Sequence, residues 1–171
     1  VENGDLVLEQ QQFFMGEGQD QQRLWQIPLN GNYAEVPALL QTKTLNLGDY
    51  QDLRDRNQQP FRLNVGNSSH FIVRYDQRLL DDILADWEQL TAIDQLRLLQ
   101  DLRLLAEGKQ ISYAEIVPLL PRFAKTDSAL VTEMLYRVAN DLKKFVAPQS
   151  SAEKQLKKFF GELSQAPAQR L

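Results

Sequence analysis

The chain has 171 residues, of which 43% are hydrophobic and 25% charged, and its formal net charge is −4 at pH 7. These proportions are typical of a globular protein with one or two domains. No segment is apolar enough for a membrane-spanning helix, and "VENGDLVLEQ" lacks the basic and apolar regions of a signal peptide, so no membrane partner is expected. Because cysteine is absent, disulfides, thiolate zinc sites and a cysteine nucleophile are excluded, and a cytoplasmic location is expected.

Residues 1–76 carry the alternating pattern of short β-strands. In "LWQIPL", the large residues Trp25, Ile27 and Leu29 alternate with Gln and Pro, and "NGN" at 30–32 is a strong turn signal. Further short strands are predicted in the segments DLVLEQQQFF, LLQTKTLNL, PFRLNV and HFIVRY. Since no helix is predicted between these strands, the first domain is expected to be a small β-sandwich.

After Tyr75 the apolar period changes from two to about 3.6, which predicts helices in residues 77–171. Five residues are placed to cap the first turns of successive helices: Asp76, Thr91, Ser112, Ser128 and Ser150. Gly108 is predicted to end a helix in a left-handed conformation, while Pro118 is predicted to kink the next helix and Pro121 to end it.

Alternate helices are predicted to start roughly 36 to 39 residues apart, which is close to the period of helix-pair solenoids. Residues 77–171 are therefore expected to form an antiparallel, solenoid-like helical array. The predicted fold class is α+β by segments, with a β-sandwich domain at 1–76 and an α-helical domain at 77–171.

The single histidine, His70, limits the chemistry that the chain can perform. A zinc helix of the H-E-x-x-H type needs two imidazoles, and a Ser-His-Asp triad on an α/β-hydrolase fold needs a G-x-S-x-G segment that is absent. The segment "GEGQDQ" at 16–21 lacks the third glycine of a dinucleotide loop. We therefore expect His70 to be structural or merely exposed, and we assign no catalytic, cofactor-binding or metal-binding residue.

Charged residues are predicted to lie on solvated surfaces. Asp49, Asp52 and Asp55 lack the ligand order of a calcium loop and are interleaved with Arg54 and Arg56, which indicates a self-neutralised surface. The remaining charged pairs are assigned to the wet sides of helices: Asp81 with Asp82, Lys143 with Lys144, and Lys157 with Lys158. No strongly basic face is evident, so no nucleic-acid partner is expected.

Large aromatic residues are predicted in two settings. Trp25 and Trp87 are expected to anchor hydrophobic cores. Phe159 and Phe160 are expected on an apolar face that the last helices leave uncovered, and self-association through this face is expected.

Five segments in order resemble landmarks of the zinc aminopeptidase family typified by aminopeptidase N. They are LEQQQFF (Leu8, Gln10, Phe13), WQIPL (Trp25, Ile27, Pro28), LNVG (Leu63, Asn64, Gly66), FIVRYD (Phe71, Val73, Tyr75, Asp76) and DLRLLAEG (Asp101, Leu105, Ala106). The resemblance covers roughly residues 6–108 and implies the end of the family's third, β-sandwich domain followed by the start of its fourth, helical domain. Because the chain begins at Val1 rather than Met, we expect a C-terminal piece of a longer, bacterial member of the family.

The resemblance implies a division of labour within that longer protein. Zinc would be held by the catalytic domain of the same polypeptide, which would remove N-terminal amino acids from peptide substrates. This region would hold no cofactor, support the catalytic domain and help to enclose the active-site chamber. Two alternatives stay open: a free-standing adaptor whose helical array binds a peptide or protein, and a small hydrolase that uses His70.

Overall fold

The computed structural model describes residues 1–11, 24–67 and 71–170, with side chains through residue 162. The chain divides into two compact units, Val1–Asp86 and Trp87–Leu171. The described residues form short antiparallel strands and helices, so the predicted mixture of α and β structure is confirmed. None of the helices in this described part is long and apolar enough to cross a membrane.

The first unit contains four strands and two helices in its described residues. They are β1 (Asp5–Glu9), β2 (Ile27–Pro28), β3 (Leu39–Leu40), β4 (Thr44–Asp49), α1 (Tyr50–Asn57) and α2 (Gln77–Ala85). Within the described ranges, β1 pairs with β4 and β2 pairs with β3, both antiparallel. In this register Leu8 lies opposite Leu45 and Ile27 lies opposite Leu40.

The core of the first unit collects residues from both sheets and both helices. Side chains alternate along β1, so Leu6 and Leu8 are buried while Glu9 faces solvent. The buried cluster comprises Leu6, Leu8, Tyr33, Leu40, Tyr50, Leu53, Phe61 and Leu79. Leu79 comes from α2, so the first compact unit ends one helix after the predicted domain boundary between residues 76 and 77. The domain assignment itself stays a prediction.

Two predicted strands are wrong in the residues that the structure describes. The segment PFRLNV has no strand and ends in a 3₁₀ turn at Val65–Asn67. Asn64 and Gly66 have φ angles of 54° and 73°, which lie in the left-handed region and break an extended strand. Residues 71–75 of the next segment, HFIVRY, form no strand either, and Tyr75 instead accepts a hydrogen bond from the Leu63 N–H at 3.0 Å.

Helix α1 lies among the strands of residues 1–76, where the sequence pattern predicts no helix. Asp49 caps it by accepting a hydrogen bond from the Asp52 N–H at 2.9 Å. Tyr50 and Leu53 lie one turn apart and are both buried, which is the spacing of an amphipathic helix. The helix is short and mostly polar, so only two apolar residues mark its helical period in the sequence.

The second unit is helical in its described residues. Its helices are α3 (Ala92–Glu107), α4 (Tyr113–Ile116), α5 (Leu120–Phe123), α6 (Ala129–Lys143) and α7 (Ser151–Arg170), with 3₁₀ turns at Trp87–Gln89 and Val117–Leu119. The predicted caps of these helices, and the cap of α2 in the first unit, are confirmed. In each case the side chain of the capping residue accepts a hydrogen bond from an N–H of the first turn. The capping residues are Asp76, Thr91, Ser112, Ser128 and Ser150.

Two details of these helices differ from expectation. Gly108 has a φ angle of −80°, and Lys109 instead takes the left-handed conformation with a φ angle of 60°. Pro118 lies in the 3₁₀ turn that interrupts the helix, as predicted, but Pro121 lies in the first turn of α5 rather than ending the segment. A first-turn position tolerates proline because its missing N–H has no partner within the helix there.

The aromatic residues divide unexpectedly between core and surface. Trp87 is buried, as predicted, whereas Trp25 is 41% exposed, so its assignment to a core is wrong. Phe159 is buried and Phe160 is half-buried, because α7 packs on α6 and on the 3₁₀ turn before α5. The uncovered apolar face expected at these two residues is therefore wrong, and self-association stays a prediction without that support.

Candidate functional site

One polar cluster of the first unit joins α1 to α2. Tyr50 is buried, and its hydroxyl donates a hydrogen bond to Asp82 Oδ2 at 2.7 Å. Arg54 Nε lies 3.6 Å from the same carboxylate oxygen, and the Arg78 guanidinium lies 5.0 Å from the centre of the Tyr50 ring. The cluster satisfies its own charges and hydrogen bonds, so it fastens two helices together rather than presenting a reactive group.

Burial raises the pKa of Tyr50 well above its ordinary value of 10.0, and the hydrogen bond to Asp82 adds to the rise. Tyr33, which is also buried, has a raised pKa for the same principal reason. A tyrosine held neutral in this way is a poor base or nucleophile near neutral pH.

The raised pKa of Tyr50 predicts a loss of stability in alkali. The unfolded chain releases the proton near pH 10, whereas the folded chain retains it. The stabilisation is therefore complete below pH 10 and is lost progressively as the pH rises from there toward the folded pKa. We expect the stability difference between wild type and Tyr50→Phe, measured by urea unfolding, to shrink as the pH rises from about 9 to about 11. A constant difference across that range would contradict this account.

A second buried polar network lies within Trp87–Leu171 and is centred on Gln95. Gln95 Nε2 donates to the Trp87 carbonyl at 2.8 Å, and Gln95 Oε1 accepts from Thr126 Oγ1 at 2.7 Å. Thr126 in turn accepts from the Ser128 N–H, and Trp87 Nε1 donates to the Phe123 carbonyl at 3.1 Å. The network ties the start of α3 to the segment that leads into α6, with its polar atoms occupied by one another.

Ion pairs extend this contact along the helices of the second unit. Arg97 Nε lies 3.1 Å from Asp101 Oδ1 within α3, and the two side chains are 17% and 3% exposed. Arg103 Nε lies 3.0 Å from Asp141 Oδ2 on α6 and 3.2 Å from Glu107 Oε1. These acidic groups are neutralised by arginines, so they are not arranged as a pair of free carboxylates for acid–base catalysis.

A third polar group lies in the first unit at Gln10. The buried Gln10 side chain donates to the Trp25 carbonyl at 3.1 Å and to the Thr42 carbonyl at 2.9 Å, and it accepts from the Trp25 N–H at 2.8 Å. One amide thus holds two backbone segments in place.

The residues considered for chemistry in the sequence are not brought together as a site. His70 and the segment 16–21 lie outside the described residues. Asp81 accepts a hydrogen bond from Gln77 while Asp82 binds Tyr50, so the adjacent carboxylates are splayed as predicted. Lys157 pairs with Glu153 on the exposed side of α7.

The acidic cluster of α1 is a solvated surface, as predicted, but its neutralisation differs from expectation. Asp52 and Asp55 are exposed, and Asp55 accepts a hydrogen bond from the Gln51 side chain at 2.9 Å. Arg54 pairs with Asp82 and Arg56 with Glu35, so the arginines are paired outside the cluster. The helical turn directs neighbouring side chains apart, which sequence order alone does not reveal.

The donor set does not fit a zinc ion. The whole sequence offers one histidine and no cysteine. In the part of the chain that the structure describes, no three residues among His, Cys, Asp and Glu lie together as ligands of a metal would.

Sequence reasoning missed Gln10 and Gln95 as organising residues. A signal existed for Gln95, because it lies one turn before Leu98 and Leu99 and shares their buried face of α3. For Gln10 the alternating pattern of β1 indicated an inward position, but only tertiary structure shows which backbone groups it binds.

Known proteins resemble this chain along most or all of its length. The sequence profile of the ERAP1-like C-terminal domain matches residues 61–171. Aminopeptidase N of Lactobacillus helveticus is 56% identical over 171 residues, which are 100% of this chain and 20% of that protein. Aminopeptidase N of Lactobacillus delbrueckii subsp. lactis is 49% identical over the same shares of both chains.

A more distant relative is the puromycin-sensitive aminopeptidase of Caenorhabditis elegans, which is 25% identical over 135 residues, or 75% of this chain and 14% of that protein. The chain thus spans about one fifth of the length of the first two relatives. The match to the domain profile covers the whole helical second unit and the end of the first. The chain belongs to the family of ERAP1-like C-terminal domains, in a region that it shares with aminopeptidase N.

Proposed function

We propose that this chain is a non-catalytic region of a zinc metalloaminopeptidase that removes N-terminal amino acids from peptides. The observation that carries the proposal is the 56% identity, along the whole chain, to one fifth of a protein named aminopeptidase N. An identity this high across both compact units favours a shared role for the region.

The non-catalytic role is supported by the residues themselves. A chain with one histidine and no cysteine lacks the usual ligands of a catalytic zinc site, in which the metal supplies a nucleophilic water. The polar clusters of the described residues are occupied in holding helices and strands together. In this proposal the region supports the zinc-bearing catalytic domain of the same polypeptide, helps to enclose the active-site chamber and works in the cytoplasm.

The same proposal includes a small β-sandwich in the first unit and a solenoid-like helical array in the second. Inward residues of β1 and β3 share one hydrophobic core, which is the arrangement expected of a small β-sandwich. In the second unit, Gln95 near the start of α3 binds Thr126, which precedes α6. Arg103 near the end of α3 pairs with Asp141 near the end of α6. The two helices therefore run in the same direction, as alternate helices of a solenoid do.

The test compares the 171-residue chain with the complete polypeptide that contains it. The isolated chain is expected to bind no stoichiometric zinc and to leave an aminoacyl chromogenic substrate intact, because its donor set does not fit the metal. The complete polypeptide is expected to bind zinc and to cleave the substrate. It is expected to lose turnover when a chelator removes the metal. Zinc binding or turnover by the isolated chain would overturn the non-catalytic assignment.

A second candidate function is a free-standing adaptor whose helical array binds a peptide or protein. The common direction of α3 and α6 favours it, since solenoids often present extended binding surfaces. An inactive complete polypeptide together with a peptide that binds the isolated chain would favour the adaptor over the aminopeptidase.

A further inference from the structure

The hairpin that leads into β1 turns through an Asn-Gly dipeptide. Glu2 and Asp5 exchange two backbone hydrogen bonds of 2.8 Å, so the residues between them form a two-residue loop. Asn3 has a φ angle of 50° and Gly4 has a φ angle of 87°, and positive values at both positions are typical of a type I′ turn. Asn3 is exposed in this loop.

The backbone nitrogen of Gly4 is the reactive group of this turn. In an Asn-Gly dipeptide the glycine nitrogen can attack the side-chain carbonyl carbon of the asparagine, because glycine has no Cβ to hinder the approach. Among residues 1–11, 24–67 and 71–170, no group forms a hydrogen bond with the Gly4 N–H or with the Asn3 side chain. Neither reacting group is therefore held back by a partner of its own.

A second Asn-Gly dipeptide, Asn30-Gly31, has the same chemistry in different surroundings. Asn30 is exposed as well, but its Nδ2 donates to the Val65 carbonyl at 2.7 Å and its own carbonyl accepts from the Val65 N–H at 2.9 Å. A Cβ built on Gly31 would lie 2.8 Å from Val36 Cγ1, so the Gly31 backbone packs closely against that side chain. The amide of the second dipeptide is thus tied down and its glycine is confined.

We propose that Asn3 is a site of spontaneous deamidation and that the fold protects Asn30 from the same reaction. The Gly4 nitrogen forms a bond to Cγ of Asn3 and loses its proton, while the bond from Cγ to the amide nitrogen breaks and ammonia leaves. Water then opens the resulting succinimide ring. Breaking the ring bond from Cγ to nitrogen gives aspartate, and breaking the bond from the backbone carbonyl carbon to nitrogen gives isoaspartate. Asparagine is among the thermolabile residues, and water is the co-reactant.

Deamidation would change both the charge and the backbone of the turn. The new carboxylate would stand between Glu2 and Asp5 in the sequence. A Cβ built on Gly4 would lie 3.7 Å from Asp49 Oδ2, so a further acid lies close to the turn. An isoaspartate also adds one carbon to the backbone, which is incompatible with the paired hydrogen bonds of a two-residue loop. Because the Gly4 carbonyl accepts from the Tyr50 N–H at 2.8 Å, the change would reach the start of α1.

Ageing of the complete polypeptide at neutral pH, followed by tryptic digestion and mass spectrometry, tests the proposal. The two dipeptides fall in separate peptides because Arg23 lies between them. Conversion is read from the mass change when oxygen replaces the amide nitrogen, and chromatography separates the two acidic products. We expect Asn3 to be converted at least about ten-fold faster than Asn30, because hydrogen bonds of Asn30 must break before it reacts.

The same polypeptide in denaturant provides the reference. Without structure the two dipeptides are expected to be converted at rates within about two-fold of each other, since both place glycine after asparagine. Native rates as similar as the denatured ones, or faster conversion of Asn30, would overturn the proposal. A folded polypeptide that converts neither asparagine, over a period in which the denatured one converts both, would overturn it too.

An Asn3→Gln variant assigns the mass change to its residue. The peptide that ends at Arg23 also carries several glutamines, whose slower deamidation gives the same change in mass. The variant is expected to remove the rapid conversion of this peptide, because the corresponding ring would need six members, and to leave conversion of Asn30 unchanged. Conversion of the variant peptide at the wild-type rate would show that a glutamine reacts, which would contradict the assignment to Asn3.

Discussion

Replacing Trp87 with alanine is expected to lower the free energy of unfolding of the second unit by about 3–5 kcal/mol. Trp87 is 1% exposed, its ring lies 5.1 Å from the ring of Phe123, and its Nε1 donates to the Phe123 carbonyl at 3.1 Å. The substitution therefore leaves a cavity and a buried carbonyl without its donor. Urea unfolding of the 171-residue chain, followed by far-ultraviolet circular dichroism, measures the loss.

Two control variants separate the contributions of packing and hydrogen bonding at this position. Trp87→Phe keeps an aromatic ring but removes the N–H donor, and we expect it to cost about 1–3 kcal/mol. Leu130→Ala removes an exposed side chain of α6 and is expected to change stability by less than about 0.5 kcal/mol. Equal effects of Trp87→Ala and Leu130→Ala would show that the Trp87 side chain does not anchor the unit.

Asp101→Ala is expected to cost about 3–5 kcal/mol, although it removes only a short polar side chain. Asp101 is 3% exposed, and its carboxylate lies 3.1 Å from Arg97, which is 17% exposed. Removing the acid deprives a largely buried guanidinium of this counter-charge, so the desolvation of the guanidinium is less well offset. Urea unfolding of the same chain provides the measurement.

The matched controls for Asp101 are an exposed pair and a double replacement. Arg137 and Glu133 lie 2.9 Å apart at the same helical spacing but are 63% and 60% exposed, so Glu133→Ala is expected to cost less than about 0.5 kcal/mol. Replacing Arg97 with Met and Asp101 with Leu together is expected to recover most of the loss, because both buried charges are removed. A double variant as unstable as Asp101→Ala would show that the loss does not come from an unpaired charge.

The helical unit could be predicted well from its sequence because its signals are local. Capping residues such as Ser112 and Ser128 act within a single turn, and the apolar stripe of α6 recurs at a fixed spacing. The prediction failed at Gly108, where Lys109 adopts the left-handed conformation instead. A left-handed residue at 108 or at 109 would end the helix equally well. The local preference of glycine for this conformation does not determine which of the two residues adopts it.

The first unit was harder to predict because its structure depends on residues far apart in sequence. Tyr75 binds the backbone of Leu63 rather than a neighbouring strand, and Asn64 turns a predicted strand into a 3₁₀ turn. The side chain of Gln10 binds the backbone of Trp25, a contact between distant residues that no alternation of apolar residues encodes. The expectation that this chain holds no zinc rests, in contrast, on counting histidine and cysteine, and it stays a prediction.

The packing of α2 with the first unit determines where the polypeptide can be cut into separately produced pieces. A fragment that stops at residue 76 loses Leu79 from its core and removes Asp82, the acceptor of the buried Tyr50 hydroxyl. A fragment that stops at Asp86 retains both, and it leaves Trp87 with Gln95 and Phe123 in the other piece. This chain is therefore best divided between Asp86 and Trp87.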